Sequence, residues 1–581
     1  MMATSVMFFG FACILLCVSG QTAPSFIEIG SRFGMDIHFR PPPTRKNPDP
    51  EINQENKYWG MTVADLDRDG RYELFPGNHG DGVEVYWSIN ENDYQFEAPG
   101  LYNRDLHGTA AADLDNDGDL DVIITRGGRN GSAPGTGLIL ETSQGKHVTK
   151  LEGDEGEKFG LGEQFIRGRS VAFLDVNGNG FLDLLHVNRR IPNTTGPIHL
   201  LYENLGNGKF EEQAPAQGPL GFDLTNAAWF TLVDYDEDGY MDVILMLWTS
   251  IELWRGTGTF TFQKVENAFP NGGSRINGAY AFCEIDFDHD GDMDLYLARG
   301  RAQTDKVVSD ILFEKRDNIY FPIMEERGLP AGGRHQFVTC GDFNNDGHVD
   351  LYVSVVTLFS APRVPDLLLL NRGDGTFVST PGTELDQNLP PGSDGNNAMN
   401  FDYNLDGKLD LMVGPKNASW SFYENTMPMT ENSNYLLLRV GFPRASTYFP
   451  IVKRNPLNAL VKVMCDGVIH MRRVAAPGQS HSQSYYDTLH FGLGSCSNVQ
   501  EIEVKYPRGV TVVRRGNLGA NRIFETGLYF PCFPNKAGRD CDVPIQPCTL
   551  SRWEGVTGIS YEVTTSPDMP PIYCPMTGRQ F

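Results

Sequence analysis

Asp65-Leu-Asp67-Arg-Asp69-Gly70-Arg-Tyr-Glu73 is the first of seven copies of one nine-residue pattern, and this repeat is the strongest indication of the fold. Each copy reads D-x-[DN]-x-[DN]-G-x-x-[DE], and successive copies start 48 to 62 residues apart. Loops one to seven are residues 65–73, 113–121, 175–183, 234–242, 286–294, 342–350 and 402–410. Seven copies at this spacing predict a repeat architecture.

The residue types in these loops predict a calcium site in each. Oxygen side chains at positions 1, 3, 5 and 9 can converge on one hard cation, and the glycine at position 6 lets the backbone turn and offer the carbonyl of position 7. The predicted ligands, with position 7 contributing its carbonyl oxygen, are Asp65, Asp67, Asp69, Arg71 and Glu73 in loop one; Asp113, Asp115, Asp117, Asp119 and Asp121 in loop two; Asp175, Asn177, Asn179, Phe181 and Asp183 in loop three; Asp234, Asp236, Asp238, Tyr240 and Asp242 in loop four; Asp286, Asp288, Asp290, Asp292 and Asp294 in loop five; Asp342, Asn344, Asp346, His348 and Asp350 in loop six; and Asp402, Asn404, Asp406, Lys408 and Asp410 in loop seven.

Calcium fits this ligand set better than other metals. Calcium takes about six to eight oxygens, whereas magnesium demands a tighter octahedron. The predicted ligands include no thiolate or imidazole, which argues against zinc and copper. Loops one, two, four and five each carry four carboxylates at the side-chain positions and are expected to bind tightest; loop three carries two and is expected to bind weakest. The metal is expected to be structural. The alternative is that the loops are Asp-Gly turns that hold no metal.

Charge and length narrow the classes of function. The formal net charge of the 581 residues is −26, and 24 carboxylates stand at the side-chain ligand positions, so seven calcium ions would bring the charge to −12. An acidic chain is a poor partner for nucleic acid, whose phosphates need Lys and Arg, and for anionic membrane surfaces. The length predicts at least two domains.

Strand-like segments flank the loops and place each of them at the tip of a β-hairpin. Apolar runs such as residues 229–232 precede the loops, and runs such as 241–245 and 293–297 follow them. An EF-hand would instead need a bidentate Glu at position 12, where the seven copies carry Pro, Ile, His, Leu, Leu, Val and Val.

A second hairpin follows each loop and completes the repeat. Residues 200–210 and 367–377 read strand, N-x-G-[DN]-G turn, strand. Four strands per repeat form a sheet that leaves both faces uncovered, and a radial arrangement of seven sheets covers them. We therefore predict an all-β, seven-bladed β-propeller over residues 21–430, with a linear calcium solenoid as the alternative. Ring closure is expected to pair a strand near residues 26–29 with the last blade near residues 419–423.

The loop, the D-[LVI] strand and the N-x-G-[DN]-G-x-F hairpin together resemble the FG-GAP/VCBS repeats of integrin α-subunit propellers. After residue 430 the acidic loops stop, and His490-Phe-Gly-Leu-Gly494 followed by Glu501-Ile-Glu-Val-Lys-Tyr-Pro507 resembles the ASPIC/UnbV domain, predicted here as β-rich over residues 431–528. His490 is expected to be a hydrogen-bonded structural histidine. Together these parts resemble the cartilage acidic protein family over roughly residues 26 to 527. Vertebrate members of that family end in a calcium-binding EGF module, whose pattern this chain lacks.

Secretion is predicted from the N-terminus and the cysteines. Residues 1–20 resemble a signal peptide with a small-residue cleavage point. The four last cysteines predict a disulfide-stapled tail over residues 529–581; Cys465 and Cys496 are candidates for a pair, and Cys283 and Cys340 are equally compatible with a bridge or buried thiols. Glycosylation sequons start at Asn130, Asn193 and Asn417.

The expected function is calcium-dependent recognition of the extracellular matrix or the cell surface, without catalysis, nucleic-acid binding or membrane insertion. The expected partner is an extracellular protein or glycan. The tripeptide Arg372-Gly373-Asp374 is either a turn or an integrin-recognition motif; the turn is favoured because Gly and Asp are needed for it. The alternatives are a calcium-dependent lectin and a carbohydrate-active propeller enzyme, although the sequence offers no set of catalytic acids and bases outside the loops.

Overall fold

The computed structural model describes residues 23–33, 35, 60–67, 69–76, 84–90, 93–97, 106–113, 120–127, 138–143, 147–151, 160–161, 167–195, 198–206, 208–213, 221–222, 226–227, 229–274, 276–300, 308–323, 327–329, 333–355, 365–379, 395–415, 420–441, 455–475, 482–508, 510–526 and 560–564. The predicted signal peptide, the four tail cysteines and the sequons at Asn130 and Asn417 lie outside these residues.

Seven four-stranded antiparallel sheets, one for each acidic loop, build the larger part of the described chain. Six of them are formed by consecutive strands: β2 (Met61–Ala64) to β5 (Asp93–Glu97) through β3 (Glu73–Pro76) and β4 (Val85–Asn90); β6 (Leu106–Ala112), β7 (Asp121–Arg126), β8 (Leu138–Ser143) and β9 (His147–Leu151); β10 (Gly168–Leu174), β11 (Asp183–Asn188), β12 (Leu200–Asn204) and β13 (Phe210–Glu212); β14 (Trp229–Val233), β15 (Asp242–Met246), β16 (Ile251–Gly256) and β17 (Phe262–Lys264); β18 (Ala279–Ile285), β19 (Asp294–Arg299), β20 (Ile311–Arg316) and β21 (Ile319–Ile323); and β22 (His335–Gly341), β23 (Asp350–Val355), β24 (Leu367–Asn371) and β25 (Phe377–Ser379).

The seventh sheet joins the two ends of the ring. It contains β26 (Gly395–Phe401), β27 (Asp410–Pro415) and β28 (Ser421–Asn425), with β1 (Phe26–Glu28) as its outer strand. Phe26 pairs with Asn425 and Glu28 with Tyr423 in antiparallel register. The predicted closure is confirmed. The partner strand is Ser421–Asn425, two residues further along the chain than the expected segment 419–423. The described residues include short 3-10 helices at Gly30–Phe33 and Pro270–Gly273.

The sheets form a β-propeller, which confirms the predicted fold class. The first strand of each sheet contacts the first strand of the next, and β26 contacts β2 to complete the circle. Separate apolar clusters fill the spaces between neighbouring sheets; one of them, for example, joins Leu185 of β11 to Leu245 of β15. Each sheet therefore covers the faces that its neighbours would otherwise expose. Each acidic loop connects the first and second strands of its sheet, as the hairpin prediction requires.

The second domain is a sandwich of two sheets over one apolar core. Its strands are β29 (Asn434–Val440), β30 (Leu460–Cys465), β31 (Val468–Arg473), β32 (Thr488–Gly494), β33 (Asn498–Tyr506), β34 (Val510–Gly519), β35 (Arg522–Thr526) and β36 (Ser560–Thr564). One sheet has the order β32-β29-β35, with a parallel β29–β35 pair, and the other has the order β31-β30-β33-β34-β36. The edge strand β36 comes from the segment predicted as tail.

Disulfides tie strands together in both domains. Cys283 in β18 is bonded to Cys340 in β22, which links the inner strands of two neighbouring blades. Cys465 is bonded to Cys496 within the second domain. The sequence left Cys283 and Cys340 open as a bridge or thiols and named Cys465 and Cys496 as candidates for a pair; both pairs are bridges. Among the described residues, no helix has the length and apolar character needed to span a bilayer.

Candidate metal centres

The described acidic loops share one backbone conformation. In loops one, three, four, six and seven the position-1 carboxylate accepts a hydrogen bond from the N–H of the position-6 glycine, at 2.9 Å between Gly70 and Asp65 and at 2.7 Å between Gly347 and Asp342. These two glycines have φ values of 94° and 96°, a backbone conformation that residues other than glycine rarely adopt. The conformation follows from the local sequence, because glycine is the residue that permits this turn.

In loops one, three, four, five, six and seven, position 9 connects the loop to the third strand of its own blade. One carboxylate oxygen of Asp183 accepts the N–H of Val176 at 2.9 Å, and the other accepts the N–H of Asn204 at 2.8 Å. The same pair of bonds occurs in loops one, four, five, six and seven. The sequence predicted position 9 as a ligand; its first role in the structure is to satisfy two backbone donors.

Loop five brings four carboxylates together. One oxygen each of Asp286, Asp288, Asp290 and Asp294 lies within 4.8 Å of the others. Three such oxygens converge in loop one, from Asp65, Asp67 and Glu73, and in loop four, from Asp234, Asp236 and Asp242. Oδ1 of Asp288 is buried and accepts no hydrogen bond from the described residues. These donor sets consist of oxygen alone and suit a hard divalent cation.

Positive side chains hold the position-5 carboxylate in three loops. Arg255 of β16 bonds both Asp236 and Asp238 of loop four at 2.5 Å. In loops one and seven the position-7 residue does so, with Arg71 on Asp69 at 2.6 Å and Lys408 on Asp406 at 2.8 Å. A metal ion in these loops competes with an existing ion pair. The sequence ranked loops one and four with loop five by counting carboxylates, and it could not show this competition.

Loops three, six and seven use amides in place of some carboxylates. In loop six, Asn344 donates its Nδ2 to Asp346 at 2.8 Å, and the N–H of Asp346 bonds Asp342 at 3.1 Å. Asn404 accepts the N–H of Asp406 at 3.2 Å in loop seven. In loop three, Asn177 donates to Glu203 of β12 at 3.2 Å. Asp115, Asp117 and Asp119 of loop two lie outside the described residues.

Burial makes the carboxylates of the loops unusually basic. Burial raises the pKa of Asp183 to about 8 and that of Asp294 to about 9, although backbone N–H donors partly oppose the shift. For Asp286, burial and the neighbouring carboxylates of Asp290 and Asp288 raise the pKa to about 7. The crowding of buried negative groups is an electrostatic cost that a bound divalent cation offsets.

Asparagines at the end of the third strand connect neighbouring blades. Nδ2 of Asn371 donates to the carbonyl of Phe287 in the loop of the preceding blade at 2.8 Å, while its Oδ1 accepts the N–H of Gly373 at 3.0 Å. Asn425 makes the equivalent bond to Phe343 at 2.8 Å. The N-x-G motif was interpreted as a turn signal. The motif occurs at Asn204 and Asn371, whereas Asn425 is followed by Thr-Met, so the sequence carried no regular sign of this second role.

The second domain sits on the propeller face that carries the acidic loops. Its motif His490-Phe-Gly-Leu-Gly494 touches two of them. Nε2 of His490 donates to the carbonyl of Gly407 at 3.1 Å, which gives the predicted structural histidine a partner in the other domain. The N–H of Gly494 donates to the carbonyl of Asn345 at 3.1 Å. Gly492 lies so close to Asp342 that a Cβ atom would overlap its Oδ2.

Further contacts spread this interface over the face. Arg439 donates to the carbonyl of Gly70 in loop one at 2.7 Å, and the N–H of Arg508 donates to that of Gly239 in loop four at 2.7 Å. Arg473 forms a two-pronged ion pair with Glu284 of β18, with bonds of 2.6 and 2.8 Å and side chains that are 5% and 13% exposed. These pairings between domains were not visible in the sequence, since the partners lie up to hundreds of residues apart.

A segment of the second domain also enters the centre of the ring. The N–H of Gln483 bonds the carbonyl of Thr109 in β6, and the N–H of Tyr485 bonds that of Val63 in β2, both at 2.9 Å. The Gln483 side chain accepts the N–H of Phe173 in β10 at 2.6 Å. Residues 482–485 therefore run along the inner strands of the first three blades.

The tripeptide Arg372-Gly373-Asp374 forms the exposed turn between β24 and β25. Asp374 accepts the N–H of Thr376 at 2.9 Å, and Gly373 has a φ of 77°. The tripeptide therefore lies in the predicted turn, and its recognition by a partner stays a separate prediction. The described sequon at Asn193 is exposed in a turn with a φ of 64°.

Comparisons with known proteins agree with this division of the chain. Residues 65–124 match the family model of the FG-GAP-like repeat, and residues 452–526 match that of ASPIC and UnbV. None of the curated proteins matches the chain. Similar solved structures include an Agrocybe aegerita lectin that recognises non-reducing terminal N-acetylglucosamine, at 14% identity and a TM-score of 0.36, with 76% of this chain and 96% of that chain covered.

Two further propellers are similar at low identity. The Dos1 propeller is 12% identical with a TM-score of 0.30, covering 61% of this chain and 75% of that chain. The WD40 β-propeller domain of Doa1 is 10% identical with a TM-score of 0.34, covering 64% of this chain and 93% of that chain. The two family matches support a composition of FG-GAP-like repeats followed by an ASPIC and UnbV domain.

Proposed function

We propose that this chain is a secreted, non-enzymatic calcium-binding protein whose metal ions rigidify a propeller used for extracellular recognition. The observation that carries the proposal is loop five, where four carboxylate oxygens lie within 4.8 Å of one another on a backbone already folded around them. The recurrence of the loop in every blade supports up to seven calcium sites. Loop three, with its two amides, is proposed as the weakest.

Secretion is supported by the two disulfides, because such bonds persist in oxidising compartments. A binding role is supported by the FG-GAP-like propeller, although propellers carry many functions. The absence of catalysis is supported by residues 482–485, which lie along the inner strands where a channel-centred active site would need open space. The partner is proposed to be an extracellular protein or glycan.

Thermal unfolding of the purified chain, with calcium titrated against EDTA, tests the metal sites. Ligands that bind the folded state stabilise it by about 2.7 kcal/mol per site at a hundredfold excess over Kd, so we expect Tm to rise steeply with calcium. Native mass spectrometry is expected to count several bound ions. An unchanged Tm together with no bound calcium would show that the loops are ordinary turns.

A single-loop variant locates one of these ions. Asp290→Asn removes one of the four converging carboxylates of loop five and is expected to lower the ion count by one near the Kd of that site. Glu266→Gln is the matched control, because the Glu266 side chain is 74% exposed and lies outside the loops. Equal calcium binding by both variants would exclude loop five as a site. Glycan arrays and protein-interaction screens then identify the partner class, and turnover of matrix polysaccharides would contradict the non-enzymatic proposal.

A further inference from the structure

We propose that the second domain is an intramolecular partner of the calcium-loaded loop face, so that calcium binding and domain docking strengthen each other. The inference rests on the proposed calcium sites and names what their occupancy controls. It makes the His490–Gly494 motif the element of the second domain that senses the state of the loops.

The docking contacts converge on one backbone atom of the repeat. The carbonyl oxygen of the position-6 glycine accepts a hydrogen bond from the second domain in four loops; the pairs are Arg439 with Gly70, Arg508 with Gly239, His470 with Gly347 and His490 with Gly407. The next carbonyl along the chain, that of position 7, is the predicted metal ligand. A loop closed around an ion therefore presents its position-6 carbonyl in a fixed direction to the second domain.

The His490–Gly494 motif is shaped for this surface. Its alternate residues Phe491 and Leu493 point into the core of the second domain, as strand geometry requires. The residues between them face the propeller: His490 reaches loop seven, Gly492 lies against the position-1 carboxylate of loop six, and Gly494 bonds the backbone of that loop. Glycine at 492 is required because a larger residue would displace a predicted calcium ligand.

Calcium affects this interface in two opposite ways, through the charge of the loops and through the geometry of their backbone. The Arg472 guanidinium lies near Asp286, Asp342 and Asp350, and its attraction to them weakens when calcium neutralises the loops. The attraction between charges depends little on the orientation of the loop backbone, whereas the four hydrogen bonds need each loop carbonyl at a fixed position and direction. We therefore expect a positive sign: calcium tightens docking, and by reciprocity docking tightens calcium.

Calcium titration of the full chain tests the reciprocity. Arg473→Glu places two negative groups together at the Glu284 contact on β18. It also replaces a positive by a negative charge near Asp234 of loop four, which by itself favours calcium there, so a fall in affinity reports lost docking. We expect the mean calcium affinity to fall about fivefold or more, the size of a typical coupling. The double variant Arg473→Glu/Glu284→Arg is expected to recover it. Arg515→Glu is the control, because Arg515 pairs with Glu501 inside the second domain, with its side chain 50% exposed.

X-ray scattering and a second variant make the outcome decisive. EDTA is expected to enlarge the radius of gyration while the far-ultraviolet circular dichroism retains its β signal. Arg439→Leu removes the hydrogen bond to the Gly70 carbonyl and leaves every predicted ligand residue unchanged, so it serves if Arg473→Glu does not fold. A wild-type chain that binds no calcium would overturn the proposed function itself. Calcium binding with equal affinity in the wild type and the folded interface variants would overturn the coupling alone.

Discussion

Some side chains of the repeat serve two roles in the structure, although the sequence pattern shows only their residue type. The position-9 acid is both a candidate ligand and the acceptor for two backbone N–H groups, as Asp183 shows with Val176 and Asn204. Each carboxylate oxygen has two lone pairs, so these two bonds leave capacity for a metal. An acid is needed at this position even in a loop with few carboxylates, which explains why loop three keeps Asp183 beside its two asparagines.

His186 predicts an acid-sensitive propeller. It is fully buried in β11 with both ring nitrogens unpartnered among the described residues, and burial lowers its pKa from 6.5 to about 3. Between these values the unfolded chain binds a proton that the folded chain does not. Stability is therefore expected to fall as the pH drops below about 6.5, by up to ~1.4 kcal/mol per pH unit.

The variant His186→Leu is expected to flatten this part of the pH profile, measured by denaturant unfolding at saturating calcium. At pH 7 it is expected to be close to neutral in stability, because it replaces an unpartnered polar ring by an apolar side chain of similar size. Identical pH slopes for the variant and the wild type would contradict the assignment to His186.

At the scale of elements, the repeat is held by bonds from each second hairpin to its neighbour. Asn371, at the end of β24, bonds the loop of the preceding blade and also its own turn, and it is completely buried. Asn371→Ala leaves these groups without partners and is expected to cost about 1–3 kcal/mol of unfolding free energy. Asn432→Ala, in an exposed turn, is the control and is expected to stay within about 0.5 kcal/mol. Equal Tm values for both variants would show that the bond between blades contributes nothing measurable.

At the scale of the whole molecule, the stability of the ring depends on the strand that closes it. In β1, Phe26 is 9% exposed and packs edge-on against Phe343 at 6.1 Å, whereas the adjacent Ile27 is 54% exposed. Phe26→Ala is expected to cost about 3 kcal/mol and to lower Tm. Ile27→Ala is expected to change the stability by less than about 0.5 kcal/mol, and a larger effect of Ile27→Ala than of Phe26→Ala would mean that the strand does not close the ring as described.

Features of this protein that depend on interactions between residues close in the sequence could be predicted, whereas those that depend on distant residues could not. The acidic loops, their hairpins, the four-stranded repeat and the propeller follow from the sequence, because glycine turns, alternating strands and the repeat period are local properties. The strand that closes the ring was also predicted, near residues 26–29, and it lies at Phe26–Glu28.

Three features depend on the folded structure: which loop carboxylates converge, which of them pair with Arg255, and where the second domain docks. Arg255 stands outside the nine-residue pattern, and Arg473 meets Glu284 across 189 residues of chain. The His490–Gly494 motif allowed the domain to be identified from the sequence. Its contact with the acidic loops forms only when both domains have folded. Contacts between surfaces depend on shape and charge at a distance in the chain, which a local pattern does not encode.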